Sequence, residues 1–157
     1  MRTLRAALCL ALAIFAPACA RRPELPPRPV LQVAAEPRLG ATLPVEAPSS
    51  YMTLAASAQT YPSYLVRYKG LLYEVGIDPQ RTIQYILMMD ANFKTPEGIR
   101  RGSSLADVLA TGAKPLFHEP GWGCHTQLPS GWRAAFPFGD HQGECGPRVE
   151  WLFQRES

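Results

Sequence analysis

The chain has 157 residues and a formal net charge of +3, a size that predicts one compact domain. From position 61 onward, ten Lys and Arg residues balance ten Asp and Glu residues. A nearly neutral domain without a basic stripe argues against nucleic-acid binding.

The first twenty residues, 1–20, have the pattern of a secretory leader. Arg2 and Arg5 give it a basic start, and the apolar run 6–16 follows. That run is eleven residues long, which is too short to cross a bilayer. Small residues then allow cleavage after Ala18 or Ala20. We therefore predict export to the periplasm or outer membrane, with the extracellular medium as the alternative.

Cys19 gives the leader a second interpretation. Ala18-Cys19 after an apolar run is similar to a bacterial lipobox, in which the cysteine is acylated and becomes the first residue of the mature chain. Ala16 and Pro17 depart from the usual lipobox residues, so lipidation of Cys19 and simple cleavage stand as equal alternatives. Acylation would add a lipid anchor to a membrane.

The segment 21–61 is rich in proline. It contains seven prolines and shows no sustained periodicity. Proline cannot donate a ladder hydrogen bond, and it disfavours helix in the residue before it. We predict a disordered, Pro-rich linker over 21–61, followed by a single domain over 62–157.

Strand patterns dominate the predicted domain. Segments 64–68 and 71–76, joined by Lys69 and Gly70, predict a hairpin with a two-residue turn. The remaining strand-like segments are 82–89, 115–119, 122–128, 132–138 and 148–154.

One helix is predicted, within the stretch 93–112. Ser104 and Asp107 have the spacing of a capping box, and Gly112 is placed to end the helix in the left-handed conformation. A helix of about two turns does not persist alone in water.

The helix has to pack through its apolar residues. Leu105, Val108 and Leu109 form one stripe at helical spacing. We therefore predict an α+β fold, in which this short helix packs on an antiparallel sheet of about five to seven strands.

The turn, the Gly-x-Ser sequence and the short helix resemble the small exported module of the SmpA/OmlA (BamE) lipoproteins. They are also similar to one repeat of the beta-lactamase-inhibitor-like proteins. The resemblance implies an assembly or accessory role in the cell envelope, or inhibition of an enzyme by a sheet face. The matching positions are Gly98, Ile99, Gly102, Ser103, Leu105, Val108 and Leu109.

Two cysteines, Cys124 and Cys145, lie in the predicted domain. In an oxidising compartment such a pair predicts a disulfide. The alternative is a metal site made of Cys124, His141 and Cys145. His125 lies next to Cys124 on a predicted strand and so points to the opposite face, while His118 would join the site only if the fold brought it there.

The sequence lacks the common catalytic motifs. It contains no Gly-x-Ser-x-Gly, HExxH or Walker sequence, so we predict no enzymatic activity and no cofactor. A small hydrolase built around Asp140 and His141 is the third option for function.

Aromatic residues crowd the last third of the chain. Most are expected in the core, but Trp122, Trp132 and Trp151 are candidates for an exposed binding surface. The predicted function is a non-catalytic, lipoprotein-like module of the bacterial cell envelope that binds or scaffolds a protein partner. The alternative is a secreted or periplasmic proteinaceous enzyme inhibitor.

Overall fold

The computed structural model describes residues 27–45, 49, 51–56, 59–119, 123–138 and 144–155. Within these ranges the chain forms nine β-strands and one short α-helix. In chain order they are β1 (Val30–Gln32), β2 (Met52–Ala56), β3 (Gln59–Tyr68), β4 (Leu71–Ile77), β5 (Ile83–Met88), α1 (Leu105–Ala110), β6 (Phe117–Glu119), β7 (Gly123–Gln127), β8 (Arg133–Phe136) and β9 (Trp151–Arg155).

All nine strands belong to one sheet. Its order is β1-β3-β4-β5-β9-β8-β7-β6, and β2 pairs with the first part of β3. The pairing of β1 with β3 is parallel, and the other pairings are antiparallel. The last strand, β9, lies between β5 and β8 and so joins the two halves of the sheet.

The predicted α+β class is wrong, because the chain is mostly β. The helix exists but is only six residues long, and the sheet has nine strands where about five to seven were expected. Two of the additional strands, β1 and β2, come from the segment that was assigned to a linker. The sheet is also not wholly antiparallel, since β1 runs parallel to β3.

The linker prediction fails over the described part of 21–61. Residues Val30–Gln32 pair with β3, and Leu43 and Val45 are buried in the core. Proline prevents hydrogen-bond donation at its own nitrogen but allows an extended chain to lie on a core. The apolar residues between the prolines make this burial favourable. The predicted leader, with Cys19, lies outside the described residues.

The predicted hairpin of β3 and β4 is confirmed. Lys69 and Gly70 form its two-residue turn, with φ of 46° and 85°. Two positive φ values are typical of the type I′ turn, whose twist matches that of the flanking strands. The third predicted strand, 82–89, contains β5.

The start of α1 follows the predicted capping box. The Ser104 hydroxyl accepts a hydrogen bond from the Asp107 amide, and the Asp107 carboxylate accepts one from the Ser104 amide. These bonds satisfy two of the free amides at the helix start. Hydrogen bonds from the Gly102 amide to Val149 and from the Leu105 amide to Pro147 attach this end to the segment before β9.

The predicted apolar stripe of α1 is only partly buried. Val108 is fully buried, whereas Leu109 is 47% exposed. Leu105 is partly buried against the core. The helix is therefore held by its N-terminal hydrogen bonds and by one face centred on Val108.

Both faces of the sheet carry buried residues. The first face holds the larger core, which includes Val66, Tyr73, Val75, Ile86, Val108, Trp132, Ala134, Phe136 and Leu152. The second face holds a smaller cluster of Tyr85, Ala135 and Phe153, with Tyr61, Leu87 and Trp151 packed against it.

Gly76 allows β2 to approach the second face. A Cβ at Gly76 would lie 2.9 Å from Cγ2 of Thr53 and 3.1 Å from Cβ of Tyr61. Such distances are too short for carbon atoms at van der Waals contact. The missing side chain therefore permits this approach.

Candidate functional site

The hairpin of β6 and β7 gathers histidine, cysteine and glutamate side chains at one end of the sheet. Phe117 pairs with His125, and His118 pairs with Cys124. Cross-strand partners share a face, and neighbours along a strand alternate between faces. The hairpin therefore presents His118 and Cys124 on the first face, and Phe117, His125 and Glu119 on the second.

On the first face, His118 lies against a disulfide. Cys124 and Cys145 are joined, with their Cα atoms 5.5 Å apart. Nδ1 of His118 lies 3.6 Å from Sγ of Cys124, and Nε2 lies 3.8 Å from Sγ of Cys145. His118 is exposed, Cys145 is partly buried and Cys124 is fully buried. This group is consequently open to solvent on the side of His118.

On the second face, Glu119 connects His125 to Arg155. Nε2 of His125 lies 3.0 Å from Oε2 of Glu119. The Arg155 guanidinium donates to both carboxylate oxygens of Glu119, with 3.1 Å between Nη1 and Oε1. Bidentate pairs of this kind fix geometry as well as charge. They tie β6, β7 and β9 together.

The imidazole of His125 is held in its neutral form. Burial is the main cause that lowers its pKa, and it outweighs the hydrogen bond to Glu119, which raises the pKa. Nε2 therefore carries the proton that is donated to Glu119, and Nδ1 is an acceptor. Nδ1 is buried and has no hydrogen-bond partner among the described residues.

Aromatic rings enclose this histidine. The Phe117 ring stacks on the imidazole, with the two ring centroids 5.8 Å apart. The imidazole and the Phe153 ring meet edge to face, with their centroids 5.6 Å apart. His125 is only 2% exposed as a result. Phe117, which forms the outer wall, is itself 51% exposed.

The predicted binding aromatics have different positions. Trp132 is buried in the first-face core, where its ring lies 4.9 Å from that of Phe93. Trp151 is partly buried on the second face. Trp122 lies outside the described residues. The exposed aromatic rings of this region are instead those of Phe117 and Phe138, which the sequence did not single out as binding residues.

The alternative metal set was Cys124, His141 and Cys145. The structure brings the two cysteines together with His118, and His141 lies outside the described ranges. As expected, His125 is on the opposite face from Cys124. The predicted metal set omitted His118 because the sequence pattern did not specify the register of the hairpin. With only three residues between β6 and β7, position 118 pairs with position 124.

A concavity lies near β1, away from the hairpin of β6 and β7. It has a volume of about 480 Å³ and is lined by residues 31–37, 41–44 and Ile83. Most of these side chains are apolar, and Glu36 is the one charged group among them. It lacks the convergent titratable groups that a catalytic pocket needs.

No helix within the described ranges combines the length and the apolar character needed to cross a membrane. No family model matches the chain, and the comparisons with curated proteins and with solved structures return no match either.

Proposed function

We propose that this chain is an exported, non-catalytic binding protein of the cell envelope, and that an extended segment of a protein partner pairs with strand β6. The observation that carries the proposal is the outer edge of β6, with which no described strand pairs, together with two exposed phenylalanine rings. Phe117 lies on β6 itself, and Phe138 lies close to Gly123 of β7.

The edge offers backbone groups to a partner. β6 ends the strand order, so only β7 pairs with it among the described residues. An open edge strand is a template for an added strand, whose main-chain hydrogen bonds supply affinity. Short edge strands limit nonspecific aggregation, and β6 has only three residues.

Exposed aromatic rings supply the side-chain contacts. Phe117 is 51% exposed and Phe138 is 57% exposed. The Phe138 ring lies close to Gly123: a Cβ atom built on that glycine would be 3.9 Å from Cε2 of the ring. Large rings that lose water on association contribute strongly to binding. An extended apolar segment fits such an edge.

The polar groups of the region support a binding role over a catalytic one. The His125 imidazole is enclosed by Phe117 and Phe153, and its donor is already used by Glu119. Glu119 in turn is engaged by Arg155. These bonds hold β6 in place, so that its outer edge is presented in a fixed geometry.

The proposed compartment rests on the leader pattern of 1–20 and on the disulfide. Disulfides persist in oxidising compartments and are rare in the cytosol. Acylation of Cys19 would keep the protein at a membrane, and the resemblance to SmpA/OmlA (BamE) lipoproteins is consistent with that location.

Site-specific photocross-linking in cells tests the proposal. A benzophenone amino acid is placed at Phe117 or Phe138, and at Leu109 as a control that is exposed to a similar degree on α1. We expect a discrete cross-linked product from positions 117 and 138 only. Fractionation of the same cells should place this product outside the cytoplasm.

A second measurement removes the apolar contact. Phe117→Asp should abolish the product formed from position 138, while Leu109→Asp should leave it unchanged. Equal products from all three positions, or a product only in the cytosolic fraction, would contradict the proposal. The identity of the partner then separates a scaffold, which binds an assembly component, from an inhibitor, which binds an enzyme.

A further inference from the structure

We propose that Cys124, Cys145 and His118 bind a thiophilic divalent cation, such as Zn²⁺, when the disulfide is reduced. One ligand atom from each residue lies within 4.8 Å of the others. The inference concerns the first face of the hairpin and is independent of the partner proposed for the edge of β6.

The spacing of the three side chains suits a tetrahedral ion. With bonds of about 2.3 Å to sulfur and about 2.05 Å to nitrogen, tetrahedral angles place ligand nitrogen and sulfur about 3.6 Å apart. The two nitrogen–sulfur distances at His118 are 3.6 Å and 3.8 Å. These two distances belong to different ring nitrogens, so each nitrogen lies at the tetrahedral distance from one sulfur. If Nδ1 binds the ion, it already has the required distance to Cys124, and Cys145 has to move toward the shared ion.

The sulfur atoms have to separate on metal binding. Two thiolates on one tetrahedral zinc ion lie about 3.8 Å apart, which is farther than in a disulfide. Cys124 is fixed in the paired register of β7, whereas Cys145 lies outside the strands and forms a single bridge with Phe138. Rotation of the Cys145 side chain can supply the separation while Cys124 and His118 keep their cross-strand positions.

The ligands are accessible and chemically suited. His118 is exposed and Cys145 is partly buried, so an ion can reach the group from solvent. Two thiolates and one imidazole form a donor set that binds Zn²⁺, with water in the fourth position.

Reduction and metal binding are two balanced steps. A dithiol reductant transfers two electrons and two protons, which breaks the sulfur–sulfur bond, forms two thiols and leaves the reductant as its own disulfide. Zn²⁺ then forms two sulfur bonds, and the two thiol protons are released to solvent. The disulfide and the metal complex are thus mutually exclusive states of the same residues.

The experiment uses the full chain and Co²⁺ as a spectroscopic probe. The protein is first reduced, and the reductant is removed under anaerobic conditions. The reduced protein is titrated with Co²⁺, and Zn²⁺ is then added to compete for the site. We expect one Co²⁺ per chain, with a sulfur-to-metal charge-transfer band that Zn²⁺ abolishes. The oxidised protein should give no such band.

Variants identify the ligands. His118→Ala should weaken binding at least about tenfold, because even the loss of a residue that only orients a ligand costs about 10–100-fold in affinity. His141→Ala is the matched control and should leave the affinity unchanged. Loss of affinity in His141→Ala but not in His118→Ala would overturn the assignment.

Circular dichroism of the reduced chain covers the case in which reduction unfolds the protein. Recovery of the oxidised spectrum on adding one equivalent of Zn²⁺ supports the site, since the ion then stabilises the fold. A reduced chain that binds no Co²⁺, or that stays unfolded with Zn²⁺, overturns the proposal.

Discussion

His125 and Glu119 share a 3.0 Å hydrogen bond on the second face of the sheet, where the imidazole is almost fully enclosed. The carboxylate favours the charged ring, yet burial lowers the pKa of His125 more strongly. Protonation would place a second charge beside Arg155, which also lowers this pKa. Protonation of the enclosed ring therefore destabilises the fold, even though it would strengthen the contact with Glu119.

Stability should fall as the pH decreases below about 6.5, the pKa of histidine in the unfolded chain. Between that value and the lower folded pKa, the unfolded chain binds more protons, so the free energy of unfolding declines. One histidine contributes a slope of at most about 1.4 kcal/mol per pH unit. Urea unfolding at pH 7.5 and at pH 5.5 measures the difference.

His125→Gln keeps an amide donor near Glu119 but removes the group that titrates. The free energy of unfolding of this variant should therefore change less between pH 7.5 and pH 5.5 than that of the parent chain. His118→Gln, at an exposed position, serves as the control and should behave like the parent chain. Equal pH dependence in His125→Gln and the parent would contradict this account of His125.

The ion pair of Glu119 and Arg155 should contribute to stability. Glu119→Gln leaves the guanidinium of Arg155 without its carboxylate, and the Arg155 side chain is only 15% exposed. We expect a loss of about 1–3 kcal/mol, below the cost of breaking a fully buried pair. Glu150→Gln, at an exposed position, should change the free energy of unfolding by less than about 0.5 kcal/mol. Similar values for both variants would show that the pair is energetically neutral.

The disulfide should be visible in the intact mass and in the stability. Cys124 and Cys145 are 21 positions apart, and a loop of that length gives roughly 3 kcal/mol in the chain-entropy model. We expect the native mass to be lower than that of the reduced chain by two hydrogen atoms. The double variant Cys124→Ser/Cys145→Ser should lose about that free energy in urea unfolding without metal. Free thiols at both Cys124 and Cys145 in the native protein would contradict the pairing.

The orientation of α1 can be tested at two neighbouring positions. Val108→Ala removes buried methyl groups, so we expect a loss of about 2–3 kcal/mol. Leu109→Ala removes a larger but half-exposed side chain and should cost less than about 1 kcal/mol. Urea unfolding of both variants gives the comparison. The reverse order would mean that the helix presents its Leu109 side to the core.

The approach of β2 to the second face predicts a coupled pair. Gly76→Ala should destabilise the protein by about 1–3 kcal/mol, because the new methyl group would meet Cγ2 of Thr53 at 2.9 Å. Thr53→Ser removes that methyl carbon and should restore part of the loss when combined with Gly76→Ala. A double-mutant cycle measures the coupling. Additive effects would show that the two positions do not touch.

Local features of this fold could be predicted because neighbouring residues determine them. The Lys69-Gly70 turn and the Ser104–Asp107 capping box both form as their sequences indicate. Each depends on backbone conformations and hydrogen bonds within a few residues.

The features that were missed depend on partners far along the chain. β1 becomes a strand because β3, more than thirty residues later, offers it a free edge. Likewise, Leu109 has the spacing of a core residue, and its exposure follows from where the segment before β9 attaches the helix. The proline content of the segment predicted a disordered linker and gave no information about the core on which Leu43 and Val45 pack.

Separation of partners along the chain also limited what could be predicted of the site. Alternation along one strand correctly separated Cys124 from His125. The arrival of His118 beside the disulfide required the register of the hairpin, which the sequence pattern did not specify. The glutamate that holds His125 and Arg155 was missed because its two partners lie on different strands.

The parallel pairing of β1 with β3 also limits how far the protein can extend from a lipid. Cys19 and Val30 are eleven positions apart, so even a fully extended chain between them spans no more than about 40 Å. If Cys19 carries acyl chains, the sheet is confined to a layer close to the bilayer surface, and a partner has to meet it there.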